Sequence, residues 1–281
     1  MERKTVAFLL IFSLIFGLAA VSYCENKNLS RKEVEKVIEE VATKRGIPSI
    51  ILKSVAKIES SFVQFNGDGK PKVSRSGHIG IMQVSRNSGY DVDRLKKDPV
   101  YNIEVGADLL LAKWKLANNR MPQIGNMDPN ILEHWYFALW AYNGILERNN
   151  PNVNKSTYQD KIYNIALKEY GQKITPISRG TLPSRGIPKN TLKLETPKKF
   201  HEGDIIKYTA GDKVKLDGKN FLILYDKLNG KDIGKVREEI MTIVEGPVLS
   251  NGFYFYKIKV GKDESKLGWV YGNWIVKIDE E

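Results

Sequence analysis

The hydrophobic period changes once along this 281-residue chain, and that change limits the architectures open to it. From about residue 28 to residue 171 the apolar residues recur at helical spacing, as in helices that bury one face. In "NLSRKEVEKVIEEVATKRG", Val34, Val37, Ile38 and Val41 form such a stripe. Ser30 with Glu33 reads as a capping box, and Gly46 and Pro48 close the helix. "ILKSVAKIESSF" predicts a second helix that stops near the turn-rich "NGDGKP". "PVYNIEVGADLLLAKWKLAN", "PNILEHWYFALWAYN" and "STYQDKIYNIALKEYG" predict three more, the last starting near Ser156 or Thr157. From residue 205 the pattern alternates instead. "DKVKLDG", "NFLILYD", "IMTIVEG", "GFYFYKIKVG" and "GWVYGNWIVKI" are short strand-like runs between Gly, Asn and Asp turns, which suits a small barrel. Between the two regimes, residues 172–204 hold four prolines and many basic residues. They read as a linker or an extended crossing segment, a solvated linker being the simpler reading. The expected fold class is multidomain α+β, with a mainly helical domain over 25–171 and a small all-β domain over 205–281.

The N-terminus bounds the setting. Residues 1–24 carry Arg3 and Lys4, an apolar run from Val6 to Ala20, then small residues at Ala20 and Ser22. This is the layout of a secretory signal peptide, and the run is short for a membrane span of about 20 residues. An uncleaved anchor is the alternative. Cys24 is the only cysteine, so no intramolecular disulfide can form and a thiol nucleophile is not expected. Its place after the apolar run raises lipoprotein attachment, but Tyr23 stands where a lipoprotein signal has a small residue. The formal net charge of +11 favours a polyanionic partner. Export argues against nucleic acid and points the charge at the cell envelope. No histidine and carboxylate spacing suggests a metal, and no cofactor is expected. His78 and His134 read as turn and surface residues.

Glu59 is the residue that asks for a chemical reason. It lies on the border of the apolar side of its helix, four residues after Val55 and three after Ala56. A free glutamate, with a pKa of about 4.3, is ionised at neutral pH, whereas desolvation raises the value and keeps the proton available for general-acid work. The competing reading is a carboxylate paired with a lysine or a backbone amide. Asp68, Asp91 and Glu104 are the candidate second carboxylates for a hydrolytic mechanism, and all read as exposed or structural.

Three later segments accompany Glu59: "VSRSGHIGIMQV", "YNIEVGADLL" and "LWAYNGI". The ordered set Glu59-Ser60-Ser61-Phe62, Gly77 through Gly80-Ile81-Met82-Gln83, Asn102-Ile103 with Gly106, and Ala141-Tyr142-Asn143 resembles the lytic transglycosylases with a lysozyme-like SLT domain. The resemblance covers roughly Leu29 to Gly171. His78 and Leu109 depart from residues usual at those places, which bears on subsite preference. The resemblance implies that Glu59 is the sole catalytic acid and base. It places Ser74 near a substrate acetamido group, Met82 and Gln83 in the groove, and Tyr142 close to the carboxyl with Asn143 beside it. It further implies cleavage of the MurNAc-GlcNAc β-1,4 bond of peptidoglycan with closure of a 1,6-anhydro ring. A hydrolytic muramidase on the same fold and a non-catalytic wall-binding scaffold are the rivals.

"GKVREEIMTIVEGPVLSNGFYFYKIKVG" and the closing "GWVYGNWIVKI" resemble bacterial SH3-like domains, with Trp274 replacing the usual tyrosine of the ending. That resemblance implies cell-wall peptides or envelope proteins as ligands. The alternative is that Phe253, Tyr254, Trp269 and Trp274 simply fill or cover the barrel. A monomer is expected, and removal of the β region is expected to lower wall affinity while leaving some turnover.

Overall fold

The computed structural model describes residues 27–237, 239–261 and 263–278. The export signal and Cys24 therefore lie outside the described residues. Helix α1 (Arg31–Arg45) opens on the Ser30–Glu33 capping box and closes at Gly46, whose φ of 57° is the left-handed conformation glycine tolerates. Helix α2 (Ser49–Ser60) carries Glu59 and ends well before the "NGDGKP" turn. Ser61 and Phe62 take φ values of 58° and 67°, and Ser60 Oγ accepts a hydrogen bond from Val63 N at 3.1 Å, so the chain turns away at once.

A hairpin of β1 (His78–Ile79) and β2 (Val84–Ser85) follows. Next come α3 (Val92–Lys97) and the long α4 (Pro99–Arg120), which starts at an Asp98 cap with proline in its first turn. After β3 (Gln123–Ile124), the aromatic segment predicted as one helix divides into a 3₁₀ turn, Leu132–Trp135, and α5 (Tyr136–Tyr142). Helix α6 (Tyr158–Tyr170) has a second capping box, Thr157 with Asp160, and closes at Gly171. Trp114, Trp135, Tyr136, Phe137 and Trp140 are fully buried, and the Trp114 and Trp135 rings pack 4.4 Å apart between α4 and the α5 segment.

Residues 172–204 are a strap laid on the helical domain, not a solvated linker. Ile174, Ile177, Leu182 and Leu194 are buried, and β4 (Lys193–Leu194) pairs in parallel with β3. The buried Glu133 carboxylate anchors both ends. It accepts from Thr175 N at 2.9 Å, and from His201 N and Nδ1 at 2.9 and 2.8 Å. His134, expected at the surface, is buried beneath the strap. Its Nδ1 lies 2.9 Å from the Asp128 carbonyl, its Nε2 lies 2.9 Å from Thr196 Oγ1, and burial holds its pKa down.

The C-terminal part is strand-rich, so the chain is α+β with a helical domain first. Its strands are β5 (Lys213–Leu216), β6 (Leu222–Tyr225), β7 (Asp232–Val236), β8 (Met241–Ser250), β9 (Phe253–Val260), β10 (Asp263–Tyr271) and β11 (Ile275–Lys277). They form one antiparallel sheet in the order β11-β5-β8-β9-β10-β6-β7. Phe253, Phe255 and Trp269 do not fill this sheet's own core. They join the hydrophobic core of the helical domain, while Tyr208, Val214, Tyr256 and Val270 belong to a smaller cluster within the β part.

Polar contacts seal the junction. Trp114 Nε1 donates to the Gly252 carbonyl at 2.8 Å, and Asn118 Nδ2 donates to the Asn251 carbonyl at 2.9 Å. Arg45, only 4% exposed, pairs with Asp108 at 2.9 Å and with Asp217 at 3.0 Å. The β part is thus welded to the helices through shared core and an ion triad centred on the buried Arg45.

Candidate active site

Glu59 sits in the last turn of α2, half-buried, beside an open cavity of about 280 Å³. The Tyr158 hydroxyl, on the first residue of α6, donates to Glu59 Oε1 at 2.6 Å. The lysines of the same helix pair elsewhere, Lys53 with Glu39 and Lys57 with Glu169, and the partner of Glu59 is the neutral Tyr158 hydroxyl. Burial pushes the Glu59 carboxyl above the usual carboxylate range, and the Tyr158 hydrogen bond opposes that rise.

Two buried amides hold the glycine turn of "GHIGIMQV" in place. Gln64 Oε1 accepts from Ile81 N at 3.1 Å, and Asn102 Oδ1 accepts from Met82 N at 2.8 Å. Gly80 has φ of 72°, and a Cβ there would come within 2.3 Å of Gln64 Oε1 and 2.4 Å of Asn102 Nδ2. Gly106 makes room for the Met82 side chain: a Cβ there would lie 2.4 Å from Met82 Cβ. This packing presents the Met82 carbonyl to the Tyr142 hydroxyl, which donates to it at 3.0 Å. The Tyr142 ring then stacks on Tyr158, with centroids 6.5 Å apart and planes 21° from parallel. A continuous chain therefore runs from Gln64 and Asn102 through Met82, Tyr142 and Tyr158 to Glu59. Burial raises both tyrosine hydroxyls well above their usual pKa, so both stay protonated and able to donate.

The remaining expected residues are placed differently. Asn143 lines the cavity with Glu59, and its Oδ1 accepts from Asn149 Nδ2 at 3.3 Å. Met82 is buried and touches the site through its carbonyl and packing. Gln83 is half-buried and its Nε2 donates to the Gly80 carbonyl at 2.8 Å, within its own turn. Ser74 also bonds locally, its Oγ accepting from His78 N at 3.0 Å. Of the other carboxylates, Asp68 is exposed and pairs with Lys70, Asp91 caps α3, and Glu104 is half-buried on α4. Glu59 is the one carboxylate among the described residues that line its cavity.

Residues 143–161 supply the opposite wall, which sequence reasoning passed over apart from Asn143. Arg148, Asn149, Asn154, Ser156 and Lys161 line it beside Tyr158. The strap braces this wall from behind. Asn150 Nδ2 donates to the Pro183 and Gly186 carbonyls at 3.0 and 2.9 Å, and Asn152 Nδ2 donates to the Arg179, Leu182 and Pro183 carbonyls at 2.9–3.2 Å. Glu147 Oε1 accepts from Gly186 N at 2.7 Å.

A single desolvated carboxyl, shared with a tyrosine and open to a cavity with a cationic wall, can protonate a leaving oxygen on a bulky anionic substrate. Residues 36–165 match the family model of the transglycosylase SLT domain. The SLT segment contains every residue of the chain that leads to Glu59, and the strap and β part lie outside it. The match supports a lytic-transglycosylase-like function that degrades peptidoglycan, with peptidoglycan as substrate. No curated protein and no solved structure matches the chain. Among the described residues, no helix is long and apolar enough to cross a membrane.

Proposed function

We propose that the protein is an exported peptidoglycan lytic transglycosylase of the periplasm or cell envelope, in which Glu59 acts first as acid and then as base. The observation that carries the reading is Glu59 itself, desolvated, bonded to the Tyr158 hydroxyl and alone among the carboxylates of its cavity. Protonated Glu59 gives its proton to the glycosidic oxygen as the bond from that oxygen to the MurNAc C1 breaks. The resulting carboxylate takes the proton of the MurNAc 6-hydroxyl, whose oxygen bonds to C1 and closes the 1,6-anhydro ring. Atoms balance without water, and Glu59 returns to its starting state. Inverting and most retaining glycosidases place a second carboxylate about 5–10 Å from the acid, and the cavity lining offers none. Tyr158 would hold the carboxyl in place through both steps. Arg148 and Lys161 suit the lactyl and peptide carboxylates of the strand.

In this reading Asn143 contacts substrate directly, Ser74 and Gln83 border more distant subsites, and Met82 and Tyr142 position Tyr158. The C-terminal sheet is an SH3-like module, and the protein works as a monomer without a cofactor. Mass spectrometry of soluble products from purified peptidoglycan is the test. Anhydro ends, one water lighter than reducing ends, are expected; reducing ends alone would establish a muramidase instead.

A further inference from the structure

A second cavity, of about 310 Å³, lies where α4 meets the C-terminal sheet, and its lining shares no residue with the Glu59 cavity. Its walls come from both parts of the chain. Phe253 and Tyr271 meet edge to face, with centroids 5.4 Å apart and planes at 82°. Trp274 adds a broad indole, and Tyr90 faces the same space from the helical side. Aromatic walls of this kind offer flat apolar surface at little entropic cost.

The polar groups narrow the ligand. Asn273, 8% exposed, lines this cavity. Its Nδ2 is committed to the Arg45 carbonyl at 2.7 Å, while its buried Oδ1 has no hydrogen-bond partner. That oxygen is fully covered and out of a ligand's reach, and the Asp108 carboxylate, which also lines the cavity, is paired with Arg45 at 2.9 Å. Two ammonium groups stand at the rim. Lys115 is exposed on α4, and Lys219 is exposed with its Nζ 4.1 Å from the centre of the Trp274 ring. Lys219 therefore covers an aromatic face from which an incoming ring can displace it.

We infer that this junction cavity is a second saccharide site, which takes an N-acylated amino sugar carrying a carboxylate. The sugar's apolar face lies on Trp274 or Tyr271, and the carboxylate meets Lys115 and Lys219. The volume is at the lower end of the range of about 300–1,000 Å³ usual for small-molecule sites, which suits a short fragment better than a folded partner. The choice of sugar rests on the peptidoglycan reading. The cavity then holds a strand or product at a distance from the bond being cut.

The experiment is calorimetric titration of the full chain carrying Glu59→Gln with N-acetylmuramic acid, and with N-acetylglucosamine, which lacks the carboxylate. A saturable site is expected that prefers N-acetylmuramic acid. Lys115→Glu with Lys219→Glu should weaken it by about tenfold or more, as loss and reversal of two rim charges does. Both residues are exposed, so the fold survives the change, and Trp274→Leu provides a second variant that removes an aromatic wall. Reversal of Arg148 and Lys161 at the Glu59 cavity should leave the binding in place. Equal binding by the Lys115/Lys219 variant overturns the site, as does loss of binding only on reversal of Arg148 and Lys161. Capture of a sugar-free stem peptide in place of the sugar overturns the ligand assignment. Product mass is read separately: anhydro products from a protein with no such binding overturn the junction site and leave the catalytic reading intact.

Discussion

Replacing Tyr158 by Phe removes one oxygen and little else. The ring is buried and stacked on Tyr142, so phenylalanine fills the same space. The bond lost is a hydroxyl donated to a carboxylate at 2.6 Å, which stabilises the ionised form of Glu59. A hydrogen bond to a charged group contributes about 1.5–3 kcal/mol, so its loss should raise the Glu59 pKa further. The sign is fixed: burial already raises this pKa, and the variant removes the influence that opposed the rise. In the proposed mechanism Glu59 starts protonated, so its ionisation sets the alkaline limb of kcat/KM. In the variant that limb should move to higher pH. The assay is release of soluble muropeptides across pH, with circular dichroism to establish that the fold is intact. A limb that stays in place, or moves to lower pH in a folded variant, refutes the role given to this bond.

Other perturbations follow from the same geometry. Glu59→Gln should lower turnover on purified peptidoglycan by about 10²–10⁴-fold, the usual weight of a general acid–base residue. Its melting temperature at pH 7 should hold or rise, since about 1 kcal/mol shifts a chain of this size by roughly 2–4 °C. A carboxyl whose folded pKa is raised contributes stability below its unfolded pKa and loses it as pH rises through the folded value, so any gain from Gln should vanish in acid. Gly80→Ala should cost about 2–4 kcal/mol in urea unfolding, from the left-handed backbone and the collision with Gln64 and Asn102. Arg45→Met leaves Asp108 and Asp217 without their shared cation and should cost about 3 kcal/mol, with helical and β parts still melting in one calorimetric transition. Deleting residues 205–281 should abolish soluble, active protein instead of leaving a working helical domain. It removes Phe253, Phe255 and Trp269 from the helical core and strips Trp114 Nε1 of its acceptor, and sedimentation with the muropeptide assay will show it.

What the sequence displays directly is whatever is encoded within a few residues. Both glycine-closed helices, α1 and α6, are legible at their starts, α1 through the Ser30–Glu33 box and α6 to within Ser156 or Thr157, because caps are local chemistry. The desolvation of Glu59 is legible from its place beside Val55 and Ala56, and the expected raised pKa follows. The early end of α2 is not legible, since nothing in "SSF" advertises two successive left-handed residues. Tyr158 escapes notice because its partner is 99 residues away and the helix pattern around it has an ordinary explanation. Strand β7 is missed because its residues are mostly exposed and interrupted by Gly234, so alternation is faint. The strap reads as a linker because its buried residues, Ile174, Ile177, Leu182 and Leu194, follow no regular period. The docking of the β part is equally hidden, because Phe253 and Trp269 look the same in sequence whether they fill their own sheet or a neighbour's core.

The strap also sets which parts of the chain are free to vary. Asn150 and Asn152 hold it through the carbonyl oxygens of residues 179, 182, 183 and 186, and a main-chain oxygen is the same whatever side chain accompanies it. The two asparagines therefore read a path and not a spelling. Substitutions along the exposed stretch of the strap can accumulate while the wall of the Glu59 cavity keeps its shape, provided the backbone follows the same course. An inserted or deleted residue between Arg179 and Gly186 breaks the spacing of these acceptors and reaches the cavity wall without touching a single residue in it.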